Sequence, residues 1–70
     1  MEPEKFGAAR RASDLTIDKA AAACEISRPT YNAREHAPLD FRLGELVRLY
    51  GALDDTGKRL LREAVDSMFE

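Results

Sequence analysis

The apolar positions of this chain recur at helical spacing, and polar punctuation divides them into short segments. Phe6, Ala9 and Ala12, with Ala8 beside them, predict a first helix over about 3–13, with Pro3 in its first turn. Ser13, Asp14 and Leu15 read as the connection. Thr16 is a suitable N-cap for a second helix, Asp18 suits its first turn, and Ile17, Ala20, Ala21 and Cys24 form its apolar side. Ser27 is the next N-cap, with Pro29 just inside the helix it opens. That helix runs over about 28–36 and stops before Pro38, which disfavours helix at Ala37. Asp40 is expected to cap a fourth helix over about 41–51, with Leu43, Leu46, Val47 and Tyr50 as its apolar stripe and Gly51 near its end. Asp54 or Asp55 caps a fifth over about 56–69, where Leu60, Leu61, Ala64, Val65 and Met68 repeat at helical spacing. No stretch alternates at period two, so strands are not expected. The expectation is one all-α domain of five helices spanning 1–70.

The segment "KAAAACEISRPTYNAREH" joins two unlike halves. Four alanines and a cysteine leave room for another backbone to pass close by. The next helix follows after a break of a few residues, and two short helices joined so tightly cross steeply, as in a helix-turn-helix. Ile26 and Tyr31 then anchor the turn. Opposite them Arg28, Pro29, Asn32, Ala33 and His36 fall on one stripe, at offsets of 0, 1, 4, 5 and 8. Arginine pairs bidentately with guanine, asparagine with adenine, and small apolar groups meet a thymine methyl. Hydroxyls and free N–H groups at the helix starts Thr16 and Ser27 suit phosphates.

These residues carry a resemblance. "LTIDKAAAACEISRPTYNAREH" resembles the helix-turn-helix of the Cro/phage-repressor (XRE-type) family, through Ala21 at the packing position, Ile26 after the turn, Ser27 opening the third helix and Tyr31 four places on. "PLDFRLGELVRLYGAL" is similar to the family's fourth helix, and the likeness covers about residues 6–65. It implies a lambda-repressor-like domain that reads double-stranded DNA in the major groove as a transcriptional regulator. Helix 28–36 enters the groove, Thr16, Ser27, Arg34 and Arg42 meet phosphates, and two copies bind operator half-sites. Arg10 is a further candidate for a phosphate. Two positions depart from the family pattern. Glu25 stands where glycine is usual, which costs roughly 1 kcal/mol at positive φ. Arg34 stands where an apolar residue is usual. Either its stem packs while its head reaches a phosphate, or the helix is rotated.

Composition narrows the alternatives. The net charge is −2, so DNA binding requires a local basic patch. The one cysteine excludes an internal disulfide, suits a reducing compartment and reads as a small buried group. No Cys/His cluster suggests a metal, no glycine-rich loop a cofactor, and the single histidine, His36, joins no catalytic set, so neither an enzyme nor a cofactor is expected. No apolar run is long enough to span a membrane, and no signal peptide is read, which gives a cytoplasmic, bacterial or phage-encoded protein as the expectation. Leu61, Val65 and Met68 are the expected seam of a homodimer. The alternative reading is a protein-interaction module, antitoxin-like or anti-repressor, on the same scaffold. It acts through the apolar C-terminal helix and calls for neutral charge over 27–42 and a larger exposed apolar patch near Leu61, Val65 and Met68.

Overall fold

A computed structural model describes residues 4–69. It holds five α-helices and one short 3-10 turn: α1 Glu4–Ala12, α2 Ile17–Cys24, α3 Arg28–His36, the turn Pro38–Asp40, α4 Leu43–Ala52 and α5 Asp55–Ser67. There is no strand among the described residues. Pro3 lies outside them.

The helix starts follow from side-chain chemistry. Thr16 Oγ1 accepts from the Lys19 N–H at 3.1 Å, Ser27 Oγ from Thr30 at 3.3 Å, and Asp54 Oδ1 from Gly57 at 2.8 Å. The ends of α1 and α2 share one device. Leu15 N–H reaches back to the Arg10 carbonyl and Ile26 N–H to that of Ala21, both at 3.1 Å. The residue before each is left-handed, Asp14 at φ 54° and Glu25 at φ 62°. Each is a Schellman ending built without glycine, followed by an apolar residue packed against the core.

The helices close around Phe6, Ala9, Ala20, Ala21, Cys24, Tyr31, Phe41, Leu49, Leu53, Leu61 and Ala64. Phe41 joins the helices at the centre. It stacks on Phe6 of α1 (centroids 5.4 Å apart) and meets the edge of Tyr31 of α3 at 6.1 Å. α5 lies on α1 and α2 on α4, so α4 and α5 touch only lightly. Gly57 lets α5 approach α1, where Ser13 bonds Asp54 in both directions at 3.0 Å. The small residues of α2 have the expected consequence, since Cys24 Sγ reaches the Glu45 backbone carbonyl of α4 at 3.5 Å.

Two expectations are corrected here. Asp40 does not cap α4. It sits in the 3-10 turn, and the residue at the N-cap is Arg42, whose N–H is met by the Glu45 carboxylate at 3.1 Å. Of the apolar stripe Leu43, Leu46, Val47, Tyr50, only Leu46 and Tyr50 pack against the core, and partly. Leu49 and Glu45 are the buried residues of α4, leaving Leu43 78 % and Val47 64 % exposed. Glu45 takes an inward position because it has partners there, as described next.

Candidate nucleic-acid interface

α3 divides into two faces. Tyr31 and Glu35 are buried and Arg34 is half-buried, whereas Arg28, Pro29, Asn32, Ala33 and His36 are all exposed. The five residues expected on one outward stripe therefore share the solvent face.

The inward face is tied by ion pairs on both sides. Glu35 Oε2 accepts from Arg10 Nε of α1 at 2.7 Å, and Arg10 also reaches the Leu15 carbonyl at 3.0 Å. On the other side Arg34 Nε donates to Glu45 Oε1 of α4 at 3.0 Å. The guanidinium of Arg34 holds the Glu45 carboxyl below the usual carboxylate range, helped by the Arg42 N–H, and Glu45 in turn keeps Arg34 firmly cationic. Between the pairs, the Tyr31 hydroxyl is buried without a hydrogen-bond partner. Burial first, then the adjacent Glu35 carboxylate, pushes its pKa far above the ordinary phenol value.

The outward residues have polar groups to offer. Arg28 Nε lies 3.2 Å from Asp18 Oδ1 of α2, with both side chains mostly in solvent. Such a pair is weak and exchangeable. The Asn32 amide has no partner within the chain among the described residues. His36 Nδ1 lies 2.8 Å from the Asn32 carbonyl oxygen. A carbonyl only accepts, so Nδ1 carries the proton there and a neutral ring keeps Nε2 as an acceptor.

The remaining expected positions sort themselves by geometry. The Thr16 and Ser27 hydroxyls cap their helices, and Ser27 also donates to Thr30 Oγ1 at 2.8 Å, so what these two sites offer an anion is mainly backbone N–H. Arg42 is exposed and has no ion-pair partner among the described residues. Arg10 and Arg34 both turn inward, to the carboxylates of Glu35 and Glu45. Over 27–42 three arginines stand against Glu35 and Asp40, and only Arg42 of the three is free of an acidic partner. The residues of the expected dimer seam differ in burial. Leu61 is 2 % exposed and belongs to the core, while Val65 and Met68 are partly buried against it.

The exposed large apolar side chains are instead Leu39, Leu43, Val47 and Phe69. Leu43 and Val47 edge a furrow between α4 and α5, lined also by Tyr50, Val65, Arg62 and Asp66. The furrow includes Leu61 and Val65 of the apolar C-terminal helix, whereas the ion pairs that tie α3 are not legible from spacing. The one signal for the pairs was arginine in a position otherwise expected to be apolar.

No group of three His, Cys, Asp or Glu side chains is placed to hold a metal among the described residues. Among the described residues no helix is long and apolar enough to cross a membrane. Cys24 is buried, and that burial pushes its thiol up to about 11. Comparison of the chain with protein-family models, curated proteins and solved structures gives no match.

Proposed function

We propose that this protein is a sequence-specific double-stranded DNA-binding regulator, with α2 and α3 acting as a helix-turn-helix in a lambda-repressor-like domain and α3 entering the major groove. The observation that carries the reading is the split of α3. Its inner side is fastened by Tyr31 and by the pairs of Arg34 and Glu35, while five side chains on its outer side are exposed, held only by the weak Arg28–Asp18 pair and the His36 contact to the Asn32 carbonyl. A helix fixed on one side can hold Arg28 and Asn32 in register with base edges. Arg28 and Asn32 are the main base readers. Pro29 and Ala33 supply apolar contact, His36 adds an acceptor, and Arg42 with the N-terminal N–H groups of α2 and α3 positions the backbone.

Binding pool-selected duplexes at several salt concentrations tests this. Wild type binds with affinity that falls steeply with salt. Arg28→Ala with Asn32→Ala loses sequence preference, at about 1–3 kcal/mol per base contact removed. Absence of any salt-sensitive affinity at low ionic strength contradicts the proposal.

One observation favours the second reading, a protein-interaction module of antitoxin-like or anti-repressor kind. Large apolar side chains stand exposed on α4, while two of the three arginines over 27–42 are already paired with acids. The same titration separates the two, since this reading requires no DNA affinity.

A further inference from the structure

Asp18 of α2 reaches across to the outer face of α3, with Oδ1 3.2 Å from Arg28 Nε. The fold has little use for this contact. Thr16 already caps α2 and Ser27 caps α3, and the inner side of α3 is held by its own ion pairs. The two side chains of the outer pair are 72 % and 66 % exposed, so the pair adds little to stability. An acid in the first turn of α2 suits the helix dipole, but a carboxylate does that without touching Arg28. What the contact does fix is a direction. A guanidinium is a rigid plane of N–H donors. With Nε facing Asp18, the donors left over are those on the two Nη atoms, at the far end of the plane. The pair bridges α2 and α3, and between these helices Ile17, Arg28, Pro29 and Asn32 line a recess.

We propose that Asp18 is a specificity-determining residue of the reading face: it holds Arg28 by Nε so that the two Nη atoms meet the O6 and N7 of a guanine. The proposal rests on the reading of α3 as the groove helix. Guanine offers two neutral acceptors spaced for that fork. A phosphate competes for the same fork, but it is an anion, and the Asp18 carboxylate beside it is repelled. A phosphate contact carries no sequence information, so Asp18 discourages the uninformative use of Arg28 and leaves the informative one. The pair is weak in water and strengthens where a docked duplex displaces water from around it. Asp18 touches no base itself and acts by positioning Arg28. It therefore lowers affinity for arbitrary duplex while raising preference for the selected one. A carboxylate that serves the helix dipole alone has no such pair of opposite effects.

Anisotropy titrations of a selected and a random duplex test it, with wild type, Asp18→Ala, Asp18→Asn and Arg28→Ala. The guanine in question is the one whose replacement by 7-deazaguanine, which lacks the N7 acceptor, weakens wild type and not Arg28→Ala. Asp18→Ala is expected to bind random duplex at least as tightly as wild type, and to lose about tenfold in its preference for the selected duplex. It also loses most of its response to 7-deazaguanine. Asp18→Asn, whose amide oxygen still accepts from Nε, falls between the two. Thermal melts show that the variants are folded. If Asp18→Ala lowers the melting midpoint but keeps its preference and its response to 7-deazaguanine, the acid serves the helix dipole and the proposal is overturned. Equal loss of affinity for both duplexes overturns it as well, and so does a selected sequence in which no guanine meets the 7-deazaguanine criterion. Failure of the DNA reading itself is seen separately, as a wild type without affinity for either duplex at low salt, and this proposal falls with it.

Discussion

Arg34 of α3 and Glu45 of α4 meet with Nε 3.0 Å from Oε1, and the same carboxylate oxygen accepts the Arg42 N–H at 3.1 Å. One side chain thus starts α4 and fastens α3. Breaking this node is expected to loosen the helix that carries the outward residues.

Acid is the first way to break it. Arg34, and after it the Arg42 N–H, hold the Glu45 carboxyl below its unfolded value. A lowered carboxyl contributes stability above its unfolded pKa and loses it as pH falls through the folded one. Asp54 acts in the same direction, through the Gly57 N–H and then the Ser13 hydroxyl. Urea midpoints measured from about pH 7 down to about pH 3 are therefore expected to fall. Glu45→Gln lowers the midpoint at neutral pH and flattens the acid limb. An unchanged acid limb in that variant counts against the assigned role.

Much of this fold is legible in the sequence, and the parts that are not share a cause. Thr16, Ser27 and Asp54 announce their helices because capping is local chemistry. The outer row of α3 is legible because helical spacing is local too. The core face of α4 is not. Its stripe includes Leu43 and Val47, which are exposed, whereas Leu49 and Glu45 face the core, and the partner of Glu45, Arg34, lies eleven positions earlier. Phe41 belongs to no helical stripe and is buried by aromatics of α1 and α3. Leu61 reads equally well as core or as seam until α1 is seen lying on α5.

Backbone conformation gives a second expectation. Glu25 sits at φ 62°, ψ 38°, where a side chain costs about 1–2 kcal/mol. Glycine removes that cost and adds about 0.5–1 kcal/mol of unfolded-chain entropy. The Glu25–Arg48 pair lost in the exchange is largely exposed and worth little. Glu25→Gly is expected to gain about 0.5 kcal/mol in denaturant unfolding. A loss would mean that the pair outweighs the strain.

Two glycines should respond in opposite directions to the same change. A Cβ on Gly57 clashes with Ser13 Oγ and stands 2.9 Å from the Ala9 carbonyl oxygen, which is backbone and cannot swing aside. Gly57→Ala is expected to destabilise by about 1–3 kcal/mol despite alanine's better helix propensity. Gly51→Ala, with nothing in its way, gains roughly 0.5–1 kcal/mol in the monomer. Thermal melts at low protein concentration check both.

The buried thiol offers a probe of the α2–α4 contact. At about 11 against an ordinary 9.0, Cys24 carries about 100-fold less thiolate than a free cysteine. Reaction with an aromatic disulfide is expected to be slower by at least that factor in the native chain than in urea. Equal rates would mean that α2 does not stay packed on α4.

The most direct test of the central claim is fluorescence anisotropy of a selected duplex against salt, with wild type beside Arg28→Ala plus Asn32→Ala. The account expects log affinity to fall linearly with log salt, with the double variant losing its preference for the selected sequence over random duplex while keeping a similar salt slope. A wild type with no affinity at low salt, or a double variant whose preference is intact, contradicts α3 as the reading helix.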